Sequence, residues 1–227
     1  MTYKTMGKYL AAGTALFFLG AALMAGAANA SVAATAKAAG KRDAGHPSLL
    51  VEVQDKRIEG ARNFIASMGD RGINFLGDKS MTMSAKQAEF KKLLNDSFDM
   101  STIGRFALGT YWREATPAQQ KEYQKLFNQM VVRVYSQRFS EYQGQKFEVR
   151  SARNENDRDT VVTTFIVPAS GPRVQVDWRV RNRGGSYKVV DIVVEGVSMS
   201  MTQRADFASV IQRGGGKVEA LLEHLRK

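Results

Sequence analysis

The chain has 227 residues, no cysteine, two histidines and a formal net charge of +11. Without cysteine, disulfides, thiol chemistry and a cysteine-anchored lipoprotein are excluded, and His46 and His224 alone cannot assemble a zinc site. The length suits one domain with room for a sizeable core or a cavity, and in a chain that reads as exported the positive balance fits anionic membrane surfaces or acidic proteins better than nucleic acid, and a merely solubilising charge better still.

The export reading comes from the N-terminus. Lys4 and Lys8, which carry +2 of the charge, precede the apolar run Ala11 to Ala28, and Ala28-Asn29-Ala30 offers small-x-small cleavage with Ser31 as the first mature residue. Residues 1–30 are thus expected to be a signal peptide, the alternative being an uncleaved anchor. No later run is long and apolar enough to span a bilayer. Residues 31–45, SVAATAKAAGKRDAG, lack periodicity and read as a disordered lead-in to a single domain over 46–227.

Pro47 opens a predicted helix whose apolar positions (Leu49, Leu50, Val53, Ile58, Ala61, Phe64, Ile65, Met68) recur every three or four residues, with Gly69 and Gly72 as its stop. Ser84 and Gln87 suggest a capping box for a helix through Asn95 that turns Phe90, Leu93 and Leu94 inward. Asp99 or Ser101 starts a short helix that Gly109 ends. Thr116, Pro117 and Gln119 then form the start signature of a long helix bearing Tyr123, Leu126, Phe127, Met130, Val131, Val134, Tyr135, Phe139 and Tyr142. Carried to Tyr142 it would span about 39 Å at about 1.5 Å per residue.

Four strands are expected next. Phe147, Val149 and Ser151 alternate with charges, Thr160 to Val167 is rich in β-branched residues, and Val174, Val176, Trp178 and Val180 show strict period two. NRGGS at 182–186 is a hairpin turn to a returning strand, Tyr187 to Val194. Helical periodicity resumes through Phe207, Val210 and Ile211, breaks at Gly214 to Gly216, and continues through Val218, Leu221, Leu222 and Leu225. The fold class is α+β: an antiparallel sheet of about four strands with helices packed on one face.

Catalytic patterns are missing. No G-x-S-x-G elbow occurs, the GGGK at 214–217 lacks the context of a phosphate loop, and Asp157 and Asp159 in NENDRD read as solvated turn charges. Arg173, Arg179, Arg181, Arg183 and Lys188 read as a solvated outer sheet face or as a docking patch for lipid phosphates or an acidic partner. Asp191 stands in an apolar strand. It is the sole foothold for an enzyme reading, in which a small apolar metabolite would be turned over.

FALGTYWREATPAQQKEYQKLFNQMVVRVY (106–135), YQG (142–144), VDWRV (176–180) and YKVVDIVVEGVSMSMTQRADF (187–207) together resemble the MlaC family, also called the toluene-tolerance auxiliary family. The resemblance implies a periplasmic phospholipid carrier without a cofactor, working as a monomer with transient membrane contact. Its implied partners are an outer-membrane lipoprotein–porin complex and the substrate-binding ring protein of an inner-membrane ABC transporter. It also implies helices covering a curved sheet around an apolar pocket for acyl chains. A branch associated with hopanoids leaves a polycyclic lipid open as the ligand, and a non-ligand envelope interaction protein is a third reading.

The candidate lipid lining is the sheet face Val161, Thr163, Phe165, Val174, Val176, Trp178 and Val180, set against Phe127, Met130, Val131 and Val134 of the long helix. Phe106, Tyr111 and Trp112 would close one end, and Met199 and Met130 would adapt to variable chains. Ordinary core packing competes for the same residues.

Overall fold

The computed structural model describes residues 48–227, and side chains from Lys56 onward. The signal segment, the lead-in, His46, Pro47 and the side chains of Leu49, Leu50 and Val53 lie outside the described residues.

Helix α1 (Ser48–Gly77) does not stop at its glycines but runs through both. Glycine inside a helix costs about 1 kcal/mol relative to alanine, and the compensation here is proximity. A methyl group at Gly69 would fall 2.4 Å from two ring carbons of Phe147, and one at Gly60 would fall 2.1 Å from the Tyr187 hydroxyl. These glycines seat the helix backbone on the sheet. At its end Lys86 of the following helix donates to the Leu76 carbonyl at 2.6 Å, occupying one of the free acceptors of a helix terminus.

Helix α2 (Met83–Ser97) is capped by Thr82, whose Oγ1 accepts from the Ala85 amide. The expected box at Ser84 and Gln87 does not form, and Gln87 instead donates to Ser136. Asp99 caps α3 (Met100–Leu108), and Gly109 ends it at φ 64°. A single turn, α4 (Tyr111–Glu114), leads to α5 (Pro117–Ser136), where Thr116 and Gln119 form the full reciprocal capping box. Helix α5 is shorter than its periodicity suggests. It closes at Ser136, and a 3₁₀ turn (Phe139–Glu141) re-aims Phe139 edge-on to Phe75 and Phe90.

The sheet is a meander, β1 (Lys146–Asn154), β2 (Asp159–Val167), β3 (Val174–Arg183) and β4 (Ser186–Val194), extended by a two-residue β5 (Val197–Ser198) that sequence periodicity is too short to reveal. All neighbours are antiparallel, with irregularities at Val149/Ser151 and Arg179/Val180. The β3–β4 turn closes with Gly184 and Gly185 at φ 60° and 91°, and the Asn182 side chain accepts from the Gly185 amide. Asp191 orders the turn from β4 into α6 (Met199–Arg213) by accepting from the hydroxyls of Ser198 and Ser200 and the amides of Ile192 and Ser200. A tight turn through Gly215 and Gly216, both at positive φ, leads to α7 (Val218–Leu225).

Two apolar cores result. One lies between α1, α2 and the inner sheet face and includes Ile65, Met68, Phe90, Val162, Ile166, Val176 and Trp178. The other is helical, built from α3 and α5 to α7 around Tyr123, Phe127, Phe207, Ile211, Leu221 and Leu222. Tyr123 donates to the Gly104 carbonyl at 2.8 Å, and burial raises its phenol pKa far above the usual value. In the first core, burial pushes Tyr135 up to about 12.

The element lying across the sheet is α1, which packs on β1, β2, β3 and β4, whereas α5 packs mainly on α2, α3 and α7. The long helix therefore does not cover the sheet as its length suggested. Its stripe faces the helical core over Tyr123, Leu126 and Phe127 and reaches the sheet-side core only farther along, at Val131 and Val132.

Candidate functional site

Between the second half of α1 and the sheet runs a narrow cleft. Met68, Gly69, Gly72, Ile73, Phe75 and Leu76 of α1 form one wall, with Phe90 and Leu93 of α2 beside them. Phe139, Phe147, Ile166 and Trp178 form the other, with Gln145 and Lys146 at the border. The exposed wall is apolar throughout. Polar atoms near it are satisfied elsewhere: Trp178 donates its indole N–H to Thr164 at 2.9 Å, and Thr164 in turn donates to the Val176 carbonyl. Gln145 accepts from the Gln143 amide and donates to the Glu141 carbonyl. The exposed wall itself thus offers water no hydrogen-bonding partner.

The cavity is about 30 Å³, room for about two or three waters where about 10–15 Å³ accommodates one. At this volume the cleft between α1 and the sheet does not hold an acyl chain in this conformation. Phe75, Phe90, Phe139, Phe147 and Trp178 close the space from several sides. Yet Gly72 is buried, and a methyl group on it would meet nothing within 4 Å. A buried helix position with free apolar space in front of it marks where packing is incomplete.

Register corrects the expected lining. On β2, Val162, Thr164 and Ile166 pair with Trp178, Val176 and Val174 and share their face, turned toward α1. Val161, Thr163 and Phe165 pair with Arg179, Asp177 and Gln175 and belong to the opposite face. There Thr163 donates to Asp177 at 2.6 Å, and Phe165 lies beneath Arg173 and Arg150. A strand β-branched at nearly every position carries no period-two signal, so its parity is set only by pairing.

Of the residues singled out for the pocket, Trp178 alone lines the cleft. Val174, Val176 and Val180 are buried in the same core beside it, and Val131 and Met199 pack against that core. Phe127 lies in the helical core, with Met130, Tyr111 and Trp112 packed on it, and Val134 is half-buried. Phe106 is 40 % exposed, with Arg204 stacked on its ring at 5.5 Å. Sequence reasoning missed Ile73, Phe75 and Leu76 because it ended α1 at Gly69 and Gly72, and it missed Phe139 by leaving that residue on the long helix.

The outer face of the last hairpin is ordered rather than merely solvated. Arg179 pairs with Glu155 at 2.7 Å, and Arg173 covers Phe165 at 4.2 Å. Arg181 grips Asp159 through two bonds of 2.7 and 2.8 Å. Asp159 is thus a buried ion-pair partner and not a loop charge, and the Arg181 guanidinium holds its carboxyl below the usual range despite burial. Among the described residues, no group of three or more His, Asp or Glu is placed to hold a metal ion, and no helix is long and apolar enough to cross a membrane.

The profile of the family described as MlaC protein matches residues 68–227. The chain belongs to the MlaC family. Among its relatives, this MlaC family member is 26% identical over 113 residues to toluene tolerance protein ttg2D of Pseudomonas putida, covering 50% of this chain and 53% of that one. It is 26% identical over 121 residues to the intermembrane phospholipid transport system binding protein MlaC of Haemophilus influenzae, covering 52% and 56%. The chain spans about half the length of these two relatives. A phospholipid-binding protein from Ralstonia solanacearum, solved in complex with a phospholipid, superposes with a TM-score of 0.63 at 26% identity, covering 73% of this chain and 94% of that one. The family match begins at Met68, in the second half of α1, and runs through the sheet and the C-terminal helices.

Proposed function

We propose that the protein is an exported, periplasmic lipid carrier that takes phospholipid acyl chains between α1 and the inner sheet face and shuttles them between the outer and inner membranes. The observation that carries the reading is the apolar seam at Gly72, in a family member whose structural neighbour holds a phospholipid. A seam of about 30 Å³ is a closed state, so loading requires α1 to rise from its two glycine seats and Phe139 and Phe147 to part. An acyl chain of about fifteen carbons, at about 0.8 kcal/mol per methylene, gains about 12 kcal/mol from leaving water. A chain drawn from a bilayer is already out of water, so the opened seam has to match that amount for exchange to stay near balance. Release requires the reverse, and a seam that closes on itself supplies it, since the emptied walls bury each other.

No covalent step is needed. The partners would be the outer-membrane lipoprotein–porin complex and the ring protein of the inner-membrane ABC transporter. Mass spectrometry of the exported protein, purified without detergent, should find co-purified phospholipid, and a hopanoid would appear in the same spectrum. Protein that carries no lipid and extracts none from vesicles would sink the reading.

A further inference from the structure

A second recess lies where the α2–α3 junction meets the β3–β4 hairpin, about 340 Å³ in volume and lined by Phe98, Asp99, Met100, Ser101, Arg181, Arg183, Ser186 and Lys188. Its size falls within the range of small-molecule sites. Strand pairing creates its charge: Arg181 stands opposite Lys188 and Arg183 opposite Ser186 in the β3–β4 register, which puts three cations on one patch of sheet.

The carboxylates nearby are already engaged. Asp159 is held by two bonds from Arg181. Asp96 pairs with Arg71, and only its backbone carbonyl, with that of Asn95, takes the Lys188 ammonium. Asp99 accepts from the Ser101 hydroxyl and from the hydroxyl and amide of Thr102, and Arg183 approaches it at 3.4 Å. Burial raises the Asp99 carboxyl, but those hydrogen bonds and the Arg183 charge outweigh it and leave the group below its ordinary range. The lining therefore keeps a surplus of positive charge and spare N–H donors. Arg183, with a side chain 64% exposed, has the loosest tie.

We propose that this recess is an oxyanion seat for a phosphate-class ligand, with Arg183 and Lys188 as its primary cations, Arg181 as a fixed rear charge and Ser186 as a hydroxyl donor. Arginine suits phosphate because its planar fork can donate two parallel bonds. The same chemistry could be supplied by free phosphate or by the phosphodiester of a lipid headgroup. The second source rests on the carrier reading, and one contact favours it: Phe98, in the recess wall, meets Trp178, in the cleft wall, with ring centroids 6.5 Å apart. A single aromatic pair separates the charged recess from the apolar seam.

The test is a titration of the isotopically labelled full chain with inorganic phosphate, at ionic strength held constant with sodium chloride and read by amide chemical shifts. Saturable shifts confined to residues 99–101 and 181–188, weakened about tenfold in Arg183→Gln, are the expected result. Thermal unfolding of the variant should match the parent, since Arg183 is mostly exposed. A shift that does not saturate, or that Arg183→Gln leaves unchanged, overturns the seat. Protein loaded with phosphatidylglycerol from vesicles distinguishes the sources. Loss of the phosphate response on loading assigns the seat to the lipid phosphodiester, and an intact response assigns it to free phosphate. Failure to load at all would count against the carrier reading while leaving the phosphate titration to decide the seat.

Discussion

Gly69 and Gly72 stand three residues apart on α1, and both line the cleft. Substituting alanine at each should have opposite consequences. At Gly72 the new methyl group meets nothing within 4 Å. Alanine gains about 1 kcal/mol over glycine inside a helix, and one more buried carbon adds about 0.8 kcal/mol. The expected stabilisation is about 1–2 kcal/mol, a rise in thermal midpoint of about 2–7 °C for a chain of this size. At Gly69 the methyl group would press into the Phe147 ring at 2.4 Å, and overpacking costs about 1–3 kcal/mol, enough to cancel or exceed the propensity gain. Differential scanning calorimetry of lipid-free protein compares the two directly. Extending the series to Gly72→Leu should fill the seam and reduce phospholipid uptake from vesicles while the protein stays folded. If Gly72→Ala lowers the midpoint, or if both alanine variants raise it equally, the packing argument for an open seam is wrong.

Other outcomes are expected elsewhere. Asp159→Asn removes one partner of a buried, doubly bonded pair and should cost about 2–4 kcal/mol near neutral pH by chemical denaturation. Because the folded-state pKa of Asp159 lies below its ordinary 3.8, its stabilising effect is complete above that value and fades as pH falls through the folded pKa, so the variant should lose less than the parent on acidification. Tyr123→Phe removes the bond to the Gly104 carbonyl and should cost about 1–2 kcal/mol with unchanged lipid uptake. Burial, reinforced by Lys227, Arg213 and Arg133, depresses the His224 pKa below 6.5. Stability should therefore decline as pH drops below 6.5 and level off below the folded pKa, and His224→Gln should flatten that slope in denaturation curves recorded across the same range.

Features written into neighbouring residues were readable in advance. The start of α5 is stated by Thr116, Pro117 and Gln119, the β3–β4 turn by Asn182 to Ser186, and the facing of β3 by its strict alternation. The places where reading failed depend on partners distant along the chain. Gly69 looks like a helix stop until Phe147 arrives beneath it, and β2 has no legible parity until β3 pairs with it. Phe139 continues the α5 repeat, and nothing nearby foretells that the backbone breaks at Ser136 to deliver its ring between Phe75 and Phe90. The cleft is built almost wholly from such long-range decisions. Its family likeness was plain from sequence, while its wall was not.

Among the described partly buried apolar side chains, Met100, Ile103 and Val131 touch both cores. These side chains join the seam's core to the helical block, and one of them is an unbranched thioether that bends easily. In the carrier proposed above, the seam side would deform around cargo of differing girth while the helical block stayed stiff. Changes that retune what it holds need not erode what keeps it standing.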